Sequence, residues 1–419
     1  MLPDQKEPDA NSRYARIDSS YVVPEEQRLD GPLLVLIPDA LSVAAEKGVI
    51  VPRYYNPGNL FRNVHILQVA HSERFKDDLL DINLIQDMVG TASLTIHKLL
   101  IESGSFRKTF GWNRYFLQKW MSPVFTIIKT HRPVLMRAHV PHLNALVAAE
   151  IKKRCGIPLA ISLHINQDED VRGKSIGWQK KIYQNCLRRI EKYALHAADI
   201  SLPVYEPIVP YLQRLKIYNY KVSYNVIDPS YIHCKEIYNL SCPVKLISVG
   251  RQFSEKDPRN IIKALVCVRN AELTLVGDGP LHEDLVTLAH ELGVSNRVHF
   301  IKSLANKNLC AMLPDFDLFV VHSEHWELSK AVLEPLLTGL PVIINRRKGK
   351  PVPELEDNNL VHYVENSSEG YAEAIDYLLK NPDVREAMGR YAREKSSRLW
   401  GGYQAEKNFV DIYRKLVRQ

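Results

Sequence analysis

The stretch Leu246–Lys256 reads LISVGRQFSEK. An apolar, partly β-branched run (Leu246, Ile247, Val249) ends at Gly250, Arg251 follows at once, and Lys256 lies five residues further on. A helical pattern opens near Pro258. The stretch predicts a buried strand running into a turn that holds two cations at the strand's carboxyl end. In open α/β sheets that edge is where ligands bind. Glycine lets backbone come close to a ligand, arginine grips phosphate oxygens as a fork, and lysine acts as a point charge. On these residues alone two readings stand level: a diphosphate site, and a surface turn with two solvated cations.

Downstream, strand and helix patterns alternate. Glu272–Val276 (ELTLV) predicts a strand ending in Gly277-Asp278-Gly279-Pro280, followed by a helix through LHEDLVTLAHELG. Arg297–Ile301, Asp317–Val321 and Pro341–Asn345 predict further strands, and Leu328–Thr338 a helix closed by Gly339. Glu369–Lys380, Asp383–Leu399 and Gln404–Val417 predict helices. Upstream, Leu33–Ile37, Val64–Val69, Pro133–Arg137, Pro158–Leu163, Asp199–Val204 and Lys221–Val226 predict strands. LNALVAAEIKKRCG and a segment containing Ile190–Ala198 predict helices. Strand, helix, strand with short joins is the signature of a parallel sheet. Residues 229–243 lack periodicity and mark a boundary. The expected architecture is α/β, with two doubly wound Rossmann-like domains facing across a cleft. They comprise 1–238, with 401–419 as a helix crossing back to it, and 239–400.

Length agrees, since 419 residues exceed one ordinary core. Apolar and charged shares of 45% and 25% are those of a soluble globular protein. The net charge of +7 suits a phosphorylated ligand or an anionic membrane surface and is too diffuse to argue for nucleic acid. Six scattered cysteines without a C-x-x-C pair suggest reduced thiols in the cytoplasm and no zinc site. Residues 1–30, opening MLPDQKEPDANSRYARIDSS, read as a flexible or peripheral arm, and that opening lacks the apolar core of a signal peptide. No stretch reaches the length of a membrane span. Within His97–Lys129, basic residues (Arg107, Lys108, Arg114) mix with aromatic ones (Phe106, Phe110, Trp112, Trp120). That mixture predicts a core-facing helix pair with a solvated basic side, with a helix lying on a membrane interface as the alternative.

Several signals in the second half converge on one edge. The GDGP glycines permit close approach of a flat base or phosphate, although a plain turn explains them equally well. In HSEHWELSKAVLEPLLTGLPVI, Ser329 and Lys330 sit where a helix begins, and free N–H groups there attract phosphate. Glu334 lies one turn further in, among apolar neighbours. A carboxylate near a nucleotide commonly accepts hydrogen bonds from ribose hydroxyls; a helix-surface acid is the alternative, and the apolar neighbours Ala331, Val332, Leu333, Leu336 and Leu337 favour a buried or cleft-facing position over it.

From about Leu246 to Trp400 these motifs (VGRQFSEK, LTLVGDGP, LGVSNRVHFI, DLFVVHSEHWELSKAVLEPLLTGLPVI and Pro353–Leu355) resemble the nucleotide-binding half of a family 4 retaining glycosyltransferase of GT-B fold. MRAHVPH, ISLH, EKYALHAADISLPV and SYNVIDPSYI resemble its acceptor half more loosely. The resemblance implies that Gly250, Arg251 and Lys256 bind the donor diphosphate and that Glu334 binds the ribose. It puts Gly277 and Gly279 near the base, and His164 beside the reacting sugar, with His139 and His142 as acceptor-side candidates. The family usually carries a second acid eight residues before Glu334, followed by glycine. This chain has Trp326 there and Glu327 in the glycine position. Two readings of that departure stand: Glu327 does the missing acid's work, or backbone amides around Leu328 and Ser329 hold the sugar. The family's amino-terminal glycine pair is also absent, replaced by Pro38–Gly58.

The expected activity is transfer of a hexose or its derivative, with retention, from a UDP or GDP sugar to a saccharide or lipid-linked acceptor. Arg251, Lys256, Ser329 and Lys330 would stabilise the leaving diphosphate. Those cations stand in for a metal, and no acidic pair or histidine cluster shows metal-ligand spacing, so no metal or cofactor is expected. Polysaccharide, glycolipid or lipopolysaccharide synthesis in the cytoplasm, with peripheral contact at the inner membrane face, is the expected setting. Two other functions share the fold: a sugar-nucleotide binding or scaffold protein without transfer, and a sugar-nucleotide epimerase. The latter needs acid and base groups around the sugar ring, and the first half shows no obvious carboxylate pair.

Overall fold

Strands of three to nine residues, most of them short apolar runs, build two parallel sheets. The computed structural model describes residues 20–38, 40–41, 51–71, 82–101, 114–168 and 178–418. In chain order the elements of the first half are β1 (Leu33–Ile37), β2 (Asn63–His71), α1 (Ile82–Val89), β3 (Ser93–Ile101), α2 (Arg114–His131), β4 (Leu135–His139), α3 (Leu143–Cys155), β5 (Leu159–Leu163), α4 (Trp178–Ala197), β6 (Ile200–Pro203) and α5 (Val209–Arg214). The sheet order is β3-β2-β1-β4-β5-β6, all parallel. Helix α3 ends where Gly156 takes a left-handed φ of 71°, and Lys152, Lys153 and Arg154 oppose its dipole in the last turn.

The second half repeats the plan with β7 (Val244–Val249), α6 (Arg259–Ala264), β8 (Ala271–Val276), α7 (His282–Glu291), β9 (Val298–Ile301), α8 (Asn306–Met312), β10 (Leu318–Val321), α9 (Lys330–Thr338), β11 (Val342–Asn345), β12 (His362–Val364), α10 (Ser368–Lys380), α11 (Pro382–Trp400) and α12 (Gly402–Val417). Its order, β12-β11-β10-β7-β8-β9, is the same winding. Each sheet therefore reverses direction once, between β1 and β4 and between β7 and β10. At such a reversal the flanking loops part and leave a crevice beyond the strand carboxyl ends.

The chain divides into two compact units: residues 20–228 with 352–354 and 400–418, and residues 229–351 with 355–399. Helix α12 supplies Phe409, Val410 and Tyr413 to the first unit's core, beside Leu33, Val35 and Ile66. The second unit packs Leu246, Leu273, Leu318 and Ile343 under Ile261, Leu285 and Tyr371.

Three expectations need correction. His97 lies on a strand rather than a helix: SLTIHKLLI pairs with β2 over its whole length, from Asn63 with Ser93 to His71 with Ile101. Pairing outweighed the amphipathic pattern. Phe106, Arg107, Lys108, Phe110 and Trp112 of that stretch lie outside the described residues, as do residues 1–19 and 42–50. Lys221–Val226 is not a strand. It runs beside β6 with the Lys221 and Ser223 N–H groups donating to Ser201 and Pro203 carbonyls, and one bridge forms, from Ser201 to Tyr220. Helix α9 starts at Lys330, because Ser329 is extended (φ −66°, ψ 149°) and serves as its N-cap. Helices α1, α5 and α8 and strand β12 went unread.

One constraint is checkable in isolation. Gly277 has φ 138°, and a Cβ there would collide with the Gly250 carbonyl; at Gly279 it would collide with that of Gln252. Gly277→Ala should lower stability by more than about 1 kcal/mol in denaturant unfolding, whereas Gly293→Ala, with open space around its Cβ position, isolates the cost of positive φ alone.

Candidate functional site

The turn after β7 and the turn after β8 are stitched together by backbone. Gly250 N–H donates to Val276 O (3.0 Å), Gln252 N–H to Asp278 O (3.0 Å) and Leu281 N–H to Gln252 O (3.1 Å). The Gln252 side chain, 2% exposed, completes the seam. Its Nε2 donates to Gly277 O at 2.8 Å, and its Oε1 lies 2.8 Å from His282 Nδ1, so His282 must carry its proton on Nδ1. Gly277 and Gly279 are thus spent on approaching their own neighbouring loop. The seam fixes where Arg251 and Lys256 stand. Arg251 is exposed, with its guanidinium 5.8 Å from the Phe253 ring centroid.

The loop after β10, on the other side of the sheet reversal, meets this turn. Glu324 N–H donates to Glu255 O at 2.8 Å, Phe253 meets His325 edge to face at 5.6 Å, and Lys256 Nζ pairs with Glu327 Oε1 at 3.1 Å. Both members of that pair are partly exposed (17% and 23%), so water screens it and it adds little stability. Its meaning is positional: an acid stands beside the cation read as a phosphate ligand. A small cavity at the carboxyl ends of β7, β8 and β10 is lined by Ser248, Gly250, Gln252, Lys256 and His322.

Trp326 is 9% exposed and pins a third loop. Its Nε1 donates to Pro351 O at 2.6 Å, and the Arg347 and Lys350 cations lie 5.8 and 5.1 Å from its rings. Glu324 holds the same loop, accepting from Lys348 N–H (3.1 Å) and, through its carbonyl, from Arg347 Nε (2.8 Å). Where the resembled family has an acid, this chain has an aromatic anchor for a basic loop.

Helix α9 opens with Ser329 as N-cap and Lys330 as its first residue. The N–H groups of a helix's first turn lack intrahelical acceptors and favour an anion. Glu334 faces inward, 2% exposed. Burial pushes its carboxyl above the usual range, against the Lys330 charge. Lys330 Nζ lies 3.5 Å from it, and Asn306 Nδ2, at the start of α8, donates to it at 2.8 Å; Asn306 Oδ1 in turn accepts from Lys330 at 3.1 Å. Asn306 was absent from the sequence reading, because nothing in the pattern around it announces α8.

In the first unit the histidines also gather. His139 ends β4 and His164 follows β5; their rings lie 4.4 Å apart. Tyr54 Oη is 3.5 Å from His139 Nε2, a long contact. Arg137 sits behind them, 1% exposed, donating to Tyr54 O (2.9 Å) and Ser162 Oγ (3.3 Å) and lying 4.7 Å from the Phe409 ring. Burial first, then the Arg137 charge, lowers His164 to about 3; burial, His164 and Arg137 lower His139. Both imidazoles are neutral in neutral solution. His142 is the N-cap of α3 without a side-chain cap bond. The sequence named all three histidines but not Arg137 or Tyr54, whose proximity is set by sheet register. Among the described residues, no helix is long and apolar enough to cross a membrane.

Residues 239–395 match the family described as Glycosyl transferases group 1. Spore coat protein SA of Bacillus subtilis is 28% identical over 184 residues, 41% of this chain and 48% of that protein, so the match spans about half of that relative's length. Sulfoquinovosyl transferase SQD2 of Arabidopsis thaliana is 24% identical over 395 residues, 89% of this chain and 74% of that protein. Among solved structures, Anabaena Alr3699/HepE in complex with UDP is 16% identical and superposes with a TM-score of 0.66, over 92% of this chain and 100% of that one. With two six-stranded parallel sheets, the likeness to such structures shows that the fold is GT-B.

A His held at about 3 when folded and near 6.5 when unfolded takes up its proton in the unfolded state first. Its contribution to stability is whole above pH 6.5 and erodes as pH falls toward 3, by up to about 1.4 kcal/mol per unit. Melting temperature should fall steadily across that window, and more shallowly in His164→Gln, as followed by circular dichroism.

Proposed function

We propose that the protein is a retaining glycosyltransferase. It transfers a hexose or hexose derivative from a nucleoside diphosphate sugar to a saccharide or lipid-linked acceptor, in cell-surface polysaccharide, glycolipid or lipopolysaccharide synthesis on the cytoplasmic side of a membrane. The observation that carries the proposal is the convergence of Lys256, Glu327 and the first turn of α9 at the reversal point of the second sheet. The match of residues 239–395 to a glycosyltransferase family and the fold shared with a UDP-bound protein support it.

In this reading the diphosphate lies against the α9 N-terminus, with Arg251 and Lys256 on its oxygens. As the anomeric bond breaks, negative charge gathers on the β-phosphate. Those cations and the helix dipole stabilise it without reorganising. Departing phosphate takes the acceptor's proton on the same face, which retains configuration. Glu334, anchored by Asn306 and Lys330, receives the ribose hydroxyls. Gly250 leaves room for the phosphate. Glu327 takes the missing acid's place beside the sugar, and Lys256 holds it there. In the first unit, neutral His164 and His139 accept or donate to hydroxyls of sugar and acceptor. No metal is required, because Arg251, Lys256 and Lys330 already supply positive charge.

The test is turnover of UDP and GDP sugars over a panel of saccharide and lipid acceptors. Wild type should release UDP or GDP and build a retained linkage, while Arg251→Ala and Lys256→Ala lose roughly 10²–10³ in kcat. Nucleotide binding without release would favour a scaffold; sugar interconversion without an acceptor would favour an epimerase.

A further inference from the structure

Three histidines in the first unit take no part in the chemistry above. His65 is on β2, His97 on the edge strand β3 and His131 is the last residue of α2. The strands pair so that His65 stands opposite Thr95 and Leu67 opposite His97. The two histidines are thus two positions out of step, and side chains two apart along a strand share a face. Helix α2 brings His131 over that face. Arg132 then takes a left-handed φ of 49°, which turns the chain toward β4.

The ligating nitrogens of all three residues lie within 4.8 Å of one another. His65 Nδ1 and His97 Nε2 are 3.1 Å apart, and the His131 ring centroid lies 4.2 Å from that of His65 and 5.4 Å from that of His97. Nitrogens bound tetrahedrally at 2.0–2.1 Å to one ion sit roughly 3.3 Å apart. One pair is already at that spacing, and small side-chain rotations bring in the third. A neutral histidine pair accounts for the 3.1 Å contact with one hydrogen bond, but it gives no reason for a third imidazole on the same spot. The neutral imidazole is the form that ligates a metal ion.

We propose that His65, His97 and His131 form a transition-metal site, with Zn²⁺ the first candidate and water in the fourth position. Three neutral imidazoles suit Zn²⁺, Cu²⁺ or Ni²⁺; Mg²⁺ and Ca²⁺ want oxygen ligands that this trio lacks. His65 is the third residue of β2, whereas His139 and His164 stand at the carboxyl ends of β4 and β5 in the same parallel sheet. The ion therefore belongs away from the transfer chemistry, as a clip. It ties the sheet's edge strand and helix α2 to β2, where an open edge would otherwise invite pairing with another chain. The site is independent of the proposed transfer and of its metal requirement. Sequence spacing hides it, since His65 and His97 are 32 residues apart.

The experiment strips the full chain with a chelator and titrates Zn²⁺ against a chromophoric zinc indicator. Wild type should bind one equivalent and melt at a higher temperature with Zn²⁺ than without. Each of His65→Gln, His97→Gln and His131→Gln should weaken binding by more than about tenfold, and the triple variant should show neither uptake nor a thermal shift. Co²⁺ loaded into wild type should give the intense visible bands of a four- or five-coordinate nitrogen site, which decides the matter even where a variant fails to fold. Equal Zn²⁺ uptake by wild type and triple variant, no uptake by wild type, or a six-coordinate Co²⁺ spectrum overturns the proposal.

Discussion

Backbone packed against backbone at Gly250 and Gly277 is the contact from which the second unit's strand-end architecture follows. At position 277 only glycine tolerates it. Three main-chain hydrogen bonds and the buried Gln252 amide then lock two turns into one ledge. The ledge sets the position of Lys256, Lys256 meets Glu327, and Glu327 lies in the loop that leads into α9. The positions of three groups read as serving a diphosphate, Lys256, Glu327 and the first turn of α9, thus descend from one steric fact.

A second theme is substitution of an aromatic anchor for an acid. Trp326 occupies a slot where the resembled family holds a carboxylate, and it binds the Arg347–Pro351 loop through a hydrogen bond and two cations. The loop carries Arg346, Arg347, Lys348 and Lys350 in quick succession. Positive charge is thereby held close to a site read as binding an anion, and Glu324, tied to Lys348 N–H and Asn345 Nδ2, keeps it in register. Glu327, the residue after Trp326, is the acid of this loop that pairs with Lys256.

Much of this was legible in the residues. LISVG, ELTLV, DLFVV and PVIIN announce themselves by continuous apolar runs, and the cations after Gly250 by their place at a strand end. The helix ending at Gly339 was legible for the same reason: its φ of 83° suits glycine. What escaped notice depends on pairing rather than pattern. SLTIHKLLI looks amphipathic in isolation and becomes a strand only because β2 is beside it. Asn306 acquires its role from Lys330 and Glu334, which lie on another helix. The His65, His97 and His131 trio exists only once two strands and a helix end are brought together. Gln252 was not singled out in the sequence, yet it is the residue that joins the turns.

The central claim, a diphosphate held by Arg251, Lys256 and the α9 N-terminus, is tested most directly by calorimetric titration of UDP and GDP into wild type and into Lys256→Ala at two ionic strengths. Wild type should bind one of the two nucleotides. Lys256→Ala should bind it at least about tenfold more weakly, a loss of roughly 1.4 kcal/mol, with a shallower salt dependence because a charge contact is gone. Equal affinity and equal salt dependence in the two proteins, or binding of neither nucleotide to wild type, would contradict that claim.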